Sequence, residues 1–177
     1  MSVIIALLLH LFTVHFVHKK GKEVSPDVYD IGQRTLPNLS NNKYIELFLN
    51  VMMITPFLFG WKITKEFIGY FIVIFTIRSL FNMVTILPKD PSCDDEKLDF
   101  SHYIHGFCYD KIFSGHFSVI FLLSILLYSH GILGLPILAL VNILYAALII
   151  ASRSHYTIDV IVAALVTTLV YQNKIMF

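Results

Sequence analysis

Charged residues and cysteines are both scarce in this chain. Of its 177 residues only 14% are charged, the net charge is +1, and there are two cysteines. This charge balance gives no indication of nucleic-acid binding, and two cysteines are weak evidence for a disulfide. The sequence also lacks Gly/Ser linkers, low-complexity tracts and internal repeats. We therefore expect one domain over residues 1–177.

Apolar residues, by contrast, dominate. The chain is 56% hydrophobic and its mean hydropathy is +0.73, which is too apolar for a soluble domain of this length. Six apolar runs are long enough to be candidates for crossing a hydrocarbon core of roughly 30 Å. They predict an all-α, polytopic membrane protein with six transmembrane helices in one bundle, at about residues 1–17, 44–61, 66–87, 112–130, 132–151 and 156–172.

Two histidines and a carboxylate stand at the starts of two of these runs. Asp159 follows His155 by four residues, so on a helix the two share one face, and the carboxylate can orient the imidazole and support its charged form. Such a histidine is a good nucleophile toward phosphorus. A second histidine, His116, can protonate the departing oxygen. We predict that His116, His155 and Asp159 catalyse displacement at phosphorus.

Connectivity supports this assignment. With six spans, the N-terminal ends of the fourth and sixth spans lie on the same side of the membrane, together with the polar loops 18–43 and 88–111. One crossing more or fewer between His116 and His155 would place the two histidines on opposite faces. The topology and the catalytic residues therefore support each other.

The phosphoryl oxygens need hydrogen-bond donors as well. Arg153 offers a guanidinium, and the backbone N–H groups around Ser114 and Gly115 stand at the start of a helix, which is a natural anion site. Glycine at position 115 also lets a ligand approach closely. Arg78 lies inside an apolar run, where an ionised side chain is costly and usually faces a polar interior. We predict that these four residues bind the phosphate or support its site.

At these residues the chain resembles the type 2 phosphatidic acid phosphatase superfamily of lipid phosphatases and phosphotransferases. The finer likeness is to the sphingomyelin synthase group, whose Cys-x-Asp-x-x-(Tyr/Phe)-Ser-Gly-His motif is found here as Cys108-Tyr109-Asp110-Lys111-Ile112-Phe113-Ser114-Gly115-His116. The group's His-Tyr-Thr-x-Asp-Val motif is present as His155-Tyr156-Thr157-Ile158-Asp159-Val160. Two further stretches are similar to its Arg-x6-Thr-x-Leu-Pro and Pro-Asp motifs, namely residues 78–88 and 26–30.

The resemblance implies a six-helix phosphotransferase that moves phosphocholine or phosphoethanolamine from a phospholipid donor to ceramide or a diacylglycerol-type acceptor. In such an enzyme His155 is the nucleophile, Asp159 is its partner, and His116 is the acid and base, with Asp110 as a supporting residue. No metal or other cofactor is expected. The phosphatase branch's Lys-x6-Arg-Pro motif is absent, which weighs against a phosphatidate phosphatase, and the chain is shorter than typical synthases.

Two alternatives stay open. If water replaces the accepting hydroxyl, the protein is a lipid phosphate phosphatase or phosphodiesterase. Otherwise it is an inactive membrane protein that binds lipid in the inherited cavity. The presence of His116, His155 and Asp159 together favours an enzyme. The remaining histidines are interpreted as ordinary amphipathic side chains: His10, His15, His18, His102, His105 and His130.

Two arguments about membrane orientation conflict. The resemblance places the catalytic side in the lumen or outside the cell, where a disulfide between Cys93 and Cys108 is permitted. Positive residues in loops usually stay cytosolic, yet most of them lie on the catalytic side: Lys19, Lys20, Lys22, Arg34, Lys43, Lys89, Lys97, Lys111 and Arg153. We follow the resemblance, because phosphate sites recruit cations for their own reasons. No pattern points to a particular oligomeric state.

Overall fold

A computed structural model of the chain describes residues 3–21, 28–40, 42–88, 109 and 111–176. The described residues form seven α-helices and one short 3-10 helix, with no strand among them. The α-helices are α1 (Val3–Gly21), α2 (Ile31–Thr35), α3 (Lys43–Met52), α4 (Trp61–Val84), α5 (Gly115–Ser129), α6 (Leu135–Ala151) and α7 (Thr157–Gln172), and the 3-10 helix is Thr55–Leu58. The all-α class predicted from the sequence is confirmed for these residues.

Polar side chains begin several of these helices. Asp30, Asn42 and Ser114 each precede a helix and accept hydrogen bonds from N–H groups in its first turn, which have no acceptor within the helix itself. α4 follows Gly60, whose φ of 88° lies in the left-handed region that glycine adopts freely. Pro136 occupies the first turn of α6, where its missing N–H costs nothing.

α5 lies at the centre of the helix packing. It contacts α4, α6 and α7, while α1 packs on α4. Nine of the 15 residues of α5 are buried, and Leu122 and Leu126 are completely inaccessible to solvent. They belong to one cluster with Ile74 of α4, Ile149 of α6 and Ala163 of α7. In lipid such helix packing depends on van der Waals contact, and here it fixes the direction in which the first turn of α5 points.

Two helices, α1 and α4, are long and apolar enough to cross a membrane. α5, α6 and α7 are also apolar, with 15, 17 and 16 residues. Large apolar side chains cover the outer surface, for example Leu8 of α1, Leu144 of α6 and Leu165 of α7. These features indicate a membrane protein. The six-span bundle and the single domain over residues 1–177 stay predictions.

The second predicted span, residues 44–61, is not one helix. α3 has ten residues and ends at Met52, and the 3-10 helix follows after a short break. Pro56 explains the break, because proline lacks an N–H and disfavours α-helical backbone at the residue before it. Thr55 also donates its hydroxyl proton to the backbone oxygen of Met52 at 2.6 Å. A continuous helix over this segment was the wrong prediction.

The helices have two distinct ends. We call the end formed by residues 28–40, 85–88, 111–116 and 151–159 the site end. There the Ser114 N–H donates to the backbone oxygen of Asp159 at 3.2 Å, so the starts of α5 and α7 lie side by side. The opposite end comprises residues 55–66 and 128–135, where Glu66 of α4 meets His130 at the end of α5.

Some residues singled out in the sequence lie outside the described ranges. They are Cys93 and Cys108 with their disulfide, Asp110 with its supporting role, the Pro26-Asp27 pair, His102 and His105. Those expectations stay predictions.

Candidate active site

His155 lies in the turn between α6 and α7 and is 5% exposed. Its ring Nδ1 is 2.8 Å from the backbone oxygen of Lys111. A carbonyl oxygen only accepts hydrogen bonds, so Nδ1 carries the proton and donates it. Nε2 is then the basic nitrogen, and it has no hydrogen-bond partner among the described residues. The ring is therefore held by one nitrogen and presents the other.

Asp159 lies in the first turn of α7 and is fully buried. Its Oδ2 is 3.4 Å from Nδ1 of His155 and accepts a 2.8 Å hydrogen bond from the N–H of Tyr156. The predicted pair is present, but it does not lie along one face of a helix. His155 precedes α7, and the carboxylate folds back over the start of the helix as a cap. One side chain thus fixes the turn and places negative charge beside the imidazole.

His116 stands in the first turn of α5. The centroids of the His116 and His155 rings are 6.4 Å apart, with their planes inclined at 61°. Nε2 of His116 is 3.2 Å from Oδ1 of Asn50 in α3, and since this amide oxygen only accepts, Nε2 donates to it. The structure therefore brings both histidines and Asp159 to one site, from the starts of two neighbouring helices.

Ser114 differs from what its motif suggested. Its N–H donates to the backbone oxygen of Asp159, and its hydroxyl oxygen accepts a 3.1 Å hydrogen bond from the N–H of Phe117. The N–H is therefore occupied in joining α5 to α7, and the hydroxyl oxygen caps α5. The N–H of Gly115, by contrast, has no acceptor among the described residues. Gly115 therefore keeps a backbone donor for an anion at this helix start.

Arg78 reaches the same helix start from α4. Its Nε donates to the backbone oxygen of Phe113 at 2.8 Å, and the side chain is 5% exposed. A Cβ atom at position 115 would lie 3.3 Å from Nε of Arg78, so glycine there allows the guanidinium to approach the backbone. The structure thus places Arg78 as a support for the start of α5, next to the predicted phosphate site.

Arg153 occupies the turn just before His155. Its φ of 62° lies in the left-handed region, which costs free energy for any residue except glycine. Nη2 donates to the backbone oxygen of Leu36 at 3.3 Å, whereas the buried Nη1 has no partner in the described part of the chain. A guanidinium whose Nη2 is hydrogen-bonded and whose Nη1 is unused fits the predicted role in binding phosphate oxygens.

One comparison with known proteins finds a match, and it covers the part of the chain that holds both histidines. Residues 107–175 match the PAP2 superfamily C-terminal family. This match supports membership of the PAP2 superfamily. The PAP2 region covers less than half of the 177 residues but contains the whole sequence from Ser114 to Asp159. Proteins of the PAP2 superfamily are phosphatase-type enzymes, so the match suggests a lipid phosphatase or phosphotransferase type of activity. No curated protein and no solved structure matches the chain.

Lys111 is a residue of the PAP2 region whose position the sequence reasoning missed. It was counted only among the loop cations, but its side chain is 4% exposed. Nζ donates to the backbone oxygen of Arg153 at 3.0 Å and lies 5.4 Å from the centroid of the Tyr156 ring. Lys111 therefore contacts the turn between α6 and α7 twice, at Arg153 through its side chain and at His155 through its carbonyl. No spacing signal in the sequence indicates such a contact.

Two residues before the PAP2 region were missed as well. Asn50 holds the ring of His116, and its polar side chain inside an apolar run was a usable signal, since such residues are costly in membranes and usually functional. Asp30 entered the sequence analysis only as the last residue of the stretch 26–30, yet both of its carboxylate oxygens bind Thr157, two residues after His155. The site is thus completed by segments outside the matched region.

Proposed function

We propose that the protein is a membrane lipid phosphotransferase of the sphingomyelin synthase type. It moves phosphocholine or phosphoethanolamine from a glycerophospholipid to ceramide through a phosphohistidine at His155. The observation that carries this proposal is the 2.8 Å hydrogen bond from Nδ1 of His155 to the backbone oxygen of Lys111. It directs the lone pair of Nε2 away from the protein contacts, as nucleophilic attack requires.

In the first half-reaction Nε2 of His155 attacks the phosphorus of the donor's phosphodiester. The N–P bond forms, the P–O bond to diacylglycerol breaks, and His116 gives a proton to the departing oxygen. An attack distance of about 3–3.5 Å and a proton-transfer distance of about 2.6–3.2 Å are compatible with ring centroids 6.4 Å apart. Asp159 supports the positive charge that develops on the imidazole of His155.

In the second half-reaction the primary hydroxyl of ceramide gives its proton to His116 and attacks the phosphorus. The N–P bond breaks and His155 regains its free Nε2. Water in place of ceramide would release the phosphorylated head group instead. The stretch from Arg78 to Pro88 and the absence of a Lys-x6-Arg-Pro motif favour the transferase over this hydrolase.

The negative charge on the phosphoryl oxygens is matched by donors that the protein does not use for itself. These are Nη1 of Arg153 and the N–H of Gly115 at the start of the 15-residue helix α5. Fixed donors of this kind stabilise a transition state without rearrangement during the reaction. Arg78 acts one step away, because its guanidinium holds the backbone of Phe113.

A groove between α5 and α6 supports a lipid as the substrate. Its volume is about 460 Å³ and its lining is mainly apolar. It begins at Phe117, the residue after His116, and reaches Tyr128 and Leu135 at the opposite end. On our proposal an acyl chain of the phospholipid donor or of the ceramide or diacylglycerol-type acceptor lies here, with the head group at the histidines and the catalytic side in the lumen or outside the cell.

The experiment that tests the proposal supplies fluorescent ceramide and mixed phospholipids to membranes containing the protein. Lipid products, released head groups and released phosphate are followed for the parent, for His155→Ala, and for the control His130→Ala at the opposite end. We expect a new phosphorylated sphingolipid with the parent and the control but none with His155→Ala. Released head group or phosphate alone would show a hydrolase. No product from folded parent protein would overturn the enzyme proposal and favour lipid binding.

A further inference from the structure

The carboxylate of Asp30 joins two helices at the site end. Oδ1 accepts a 2.8 Å hydrogen bond from the N–H of Gln33 in α2 and another of 2.8 Å from the hydroxyl of Thr157. Oδ2 accepts a 2.8 Å hydrogen bond from the N–H of Thr157, the first residue of α7. Asp30 therefore caps α2 and binds the start of α7 at the same time. Negative charge is also favourable at both helix starts.

The residues that follow Asp30 continue this contact. The Gly32 N–H donates to the hydroxyl oxygen of Thr157 at 3.1 Å, and Nε2 of Gln33 donates to the backbone oxygen of His155 at 3.1 Å. A Cβ atom at position 32 would overlap the hydroxyl of Thr157, so only glycine fits there. α2 thus lies directly against the residues that flank the ring of His155.

The same segment also contacts the beginning of the turn that connects α6 to α7. The Leu39 N–H donates to the backbone oxygen of Ala151 at 2.8 Å, and the backbone oxygen of Leu36 accepts a 3.3 Å hydrogen bond from Arg153. We call residues 30–39 the clasp, because they contact the turn of residues 151–157 at both of its ends. Its bonds to the turn go to residues 151, 153, 155 and 157, and none goes to the His155 ring.

The turn needs such support. Arg153 has a φ of 62°, and a non-glycine residue keeps this backbone conformation only where its surroundings enforce it. His155 follows two residues later, and its ring reaches Lys111 only while the turn keeps its shape. A small displacement of a reacting group costs a large factor in rate. The shape of the turn therefore bears directly on catalysis.

We propose that Asp30 is a positioning residue: acting through Thr157 and the clasp, it holds the ring of His155 in the direction required for attack on phosphorus. This inference rests on the proposed function. Both carboxylate oxygens of Asp30 are taken up by Gln33 and Thr157, so we expect its loss to slow the chemical step and to leave lipid binding unchanged. A carboxylate is required because three donors converge on two oxygens, whereas an amide offers one accepting oxygen only.

The test compares Asp30→Asn and Thr157→Val with the conservative Thr157→Ser, which keeps the hydroxyl. The matched control is Glu66→Gln, the same acid-to-amide change at the opposite end. For Asp30→Asn and Thr157→Val we expect kcat to fall about 10–100-fold while KM stays within about twofold. Thr157→Ser and Glu66→Gln should keep the parent kcat. A raised KM with unchanged kcat, or a loss explained by less folded protein, would overturn the proposal.

A second readout separates this inference from the proposed function. Diethyl pyrocarbonate modifies accessible imidazoles, and peptide mass spectrometry gives a separate rate for each histidine. Because His155 is only 5% exposed, we expect its modification to be severalfold faster in Asp30→Asn, with His130 unchanged. Equal His155 rates in both proteins would overturn the positioning role. If His155 is labelled faster in Asp30→Asn but the parent converts no lipid, the positioning of the ring by Asp30 stands and the proposed chemistry is rejected.

Discussion

Each end of the helix packing carries a histidine next to a carboxylate. The two pairs differ in distance, in exposure and in their further hydrogen bonds. At the opposite end Nε2 of His130 lies 2.8 Å from Glu66, and the side chains are 22% and 30% exposed. At the site end Nδ1 of His155 lies 3.4 Å from Asp159, with exposures of 6% and 0%. The shorter distance belongs to the more exposed pair. Distance alone therefore does not distinguish the proposed catalytic pair from the other pair.

The difference lies in what else holds each histidine. His155 also donates to the backbone oxygen of Lys111, and Asp159 caps the helix that follows. One nitrogen is thereby fixed by a rigid backbone, and the other is left for chemistry. In His130, by contrast, Nε2 itself binds Glu66. This pair therefore links α4 to the end of α5. Partly exposed ion pairs of this kind contribute about 0–1 kcal/mol to the free energy of unfolding.

The largest expected effect comes from removing the site-end histidine. His155→Ala should lower turnover by at least about 1,000-fold, because no other group supplies the nucleophile. His130→Ala should leave turnover within about twofold of the parent. Lipid conversion rates, measured on equal amounts of folded protein, compare the two variants. Substantial turnover in His155→Ala would show that the two ends do not differ as proposed.

The carboxylates give the second comparison. Asp159→Asn should reduce kcat by about 100-fold or more, since the imidazolium loses its negative neighbour while the Lys111 carbonyl still holds the ring. Glu66→Gln makes the same chemical change at the opposite end and should leave kcat unaltered. Single-turnover release of diacylglycerol measures the step concerned. Equal kcat values for both variants would contradict a role for Asp159 in the chemistry.

A smaller effect is expected at the second histidine. Asn50→Leu removes the acceptor for Nε2 of His116, so the acid and base is less well oriented and kcat should fall about 10-fold. Asn173→Leu is the control, because Asn173 is exposed and its side chain donates to the backbone oxygen of Leu169 in the adjoining helix α7. Activity at several ceramide concentrations separates kcat from KM. An unchanged kcat would assign Asn50 to packing alone.

The smallest effect concerns stability at the opposite end. A double-mutant cycle with His130→Ala and Glu66→Ala should give a coupling of about 0–1 kcal/mol in the free energy of unfolding. The reason is that water competes for both side chains, which are more than one fifth exposed. Thermal unfolding in detergent measures the coupling. A value of several kcal/mol would show that this pair is structurally as important as the site-end pair.

The sequence predicted the parts of this protein that depend on neighbouring residues. The helices α5 to α7 follow from long apolar runs, and the start of α5 was predicted around Ser114 and Gly115. The break after α3 had a local signal as well, in Thr55-Pro56. It was missed because hydropathy was weighed above the chemistry of proline.

Contacts between distant residues were beyond the reach of spacing arguments. Lys111 meets Arg153 across 42 positions, and Asp30 meets Thr157 across 127. Ser114 illustrates the same limit, since its N–H was expected to bind an anion and instead donates to Asp159. The helix start was correctly located, but the packing of α5 on α7 decides which of its donors remain for a ligand.

Directed evolution for heat resistance should select substitutions at Arg153. Glycine adopts a φ of 62° freely, whereas arginine held there costs about 1–3 kcal/mol in a fold whose total stability is about 5–15 kcal/mol. Replacement by glycine would relieve that cost and remove the guanidinium that we propose binds the phosphate. A screen that scores heat resistance alone would therefore select against the enzyme, so turnover has to be scored beside it.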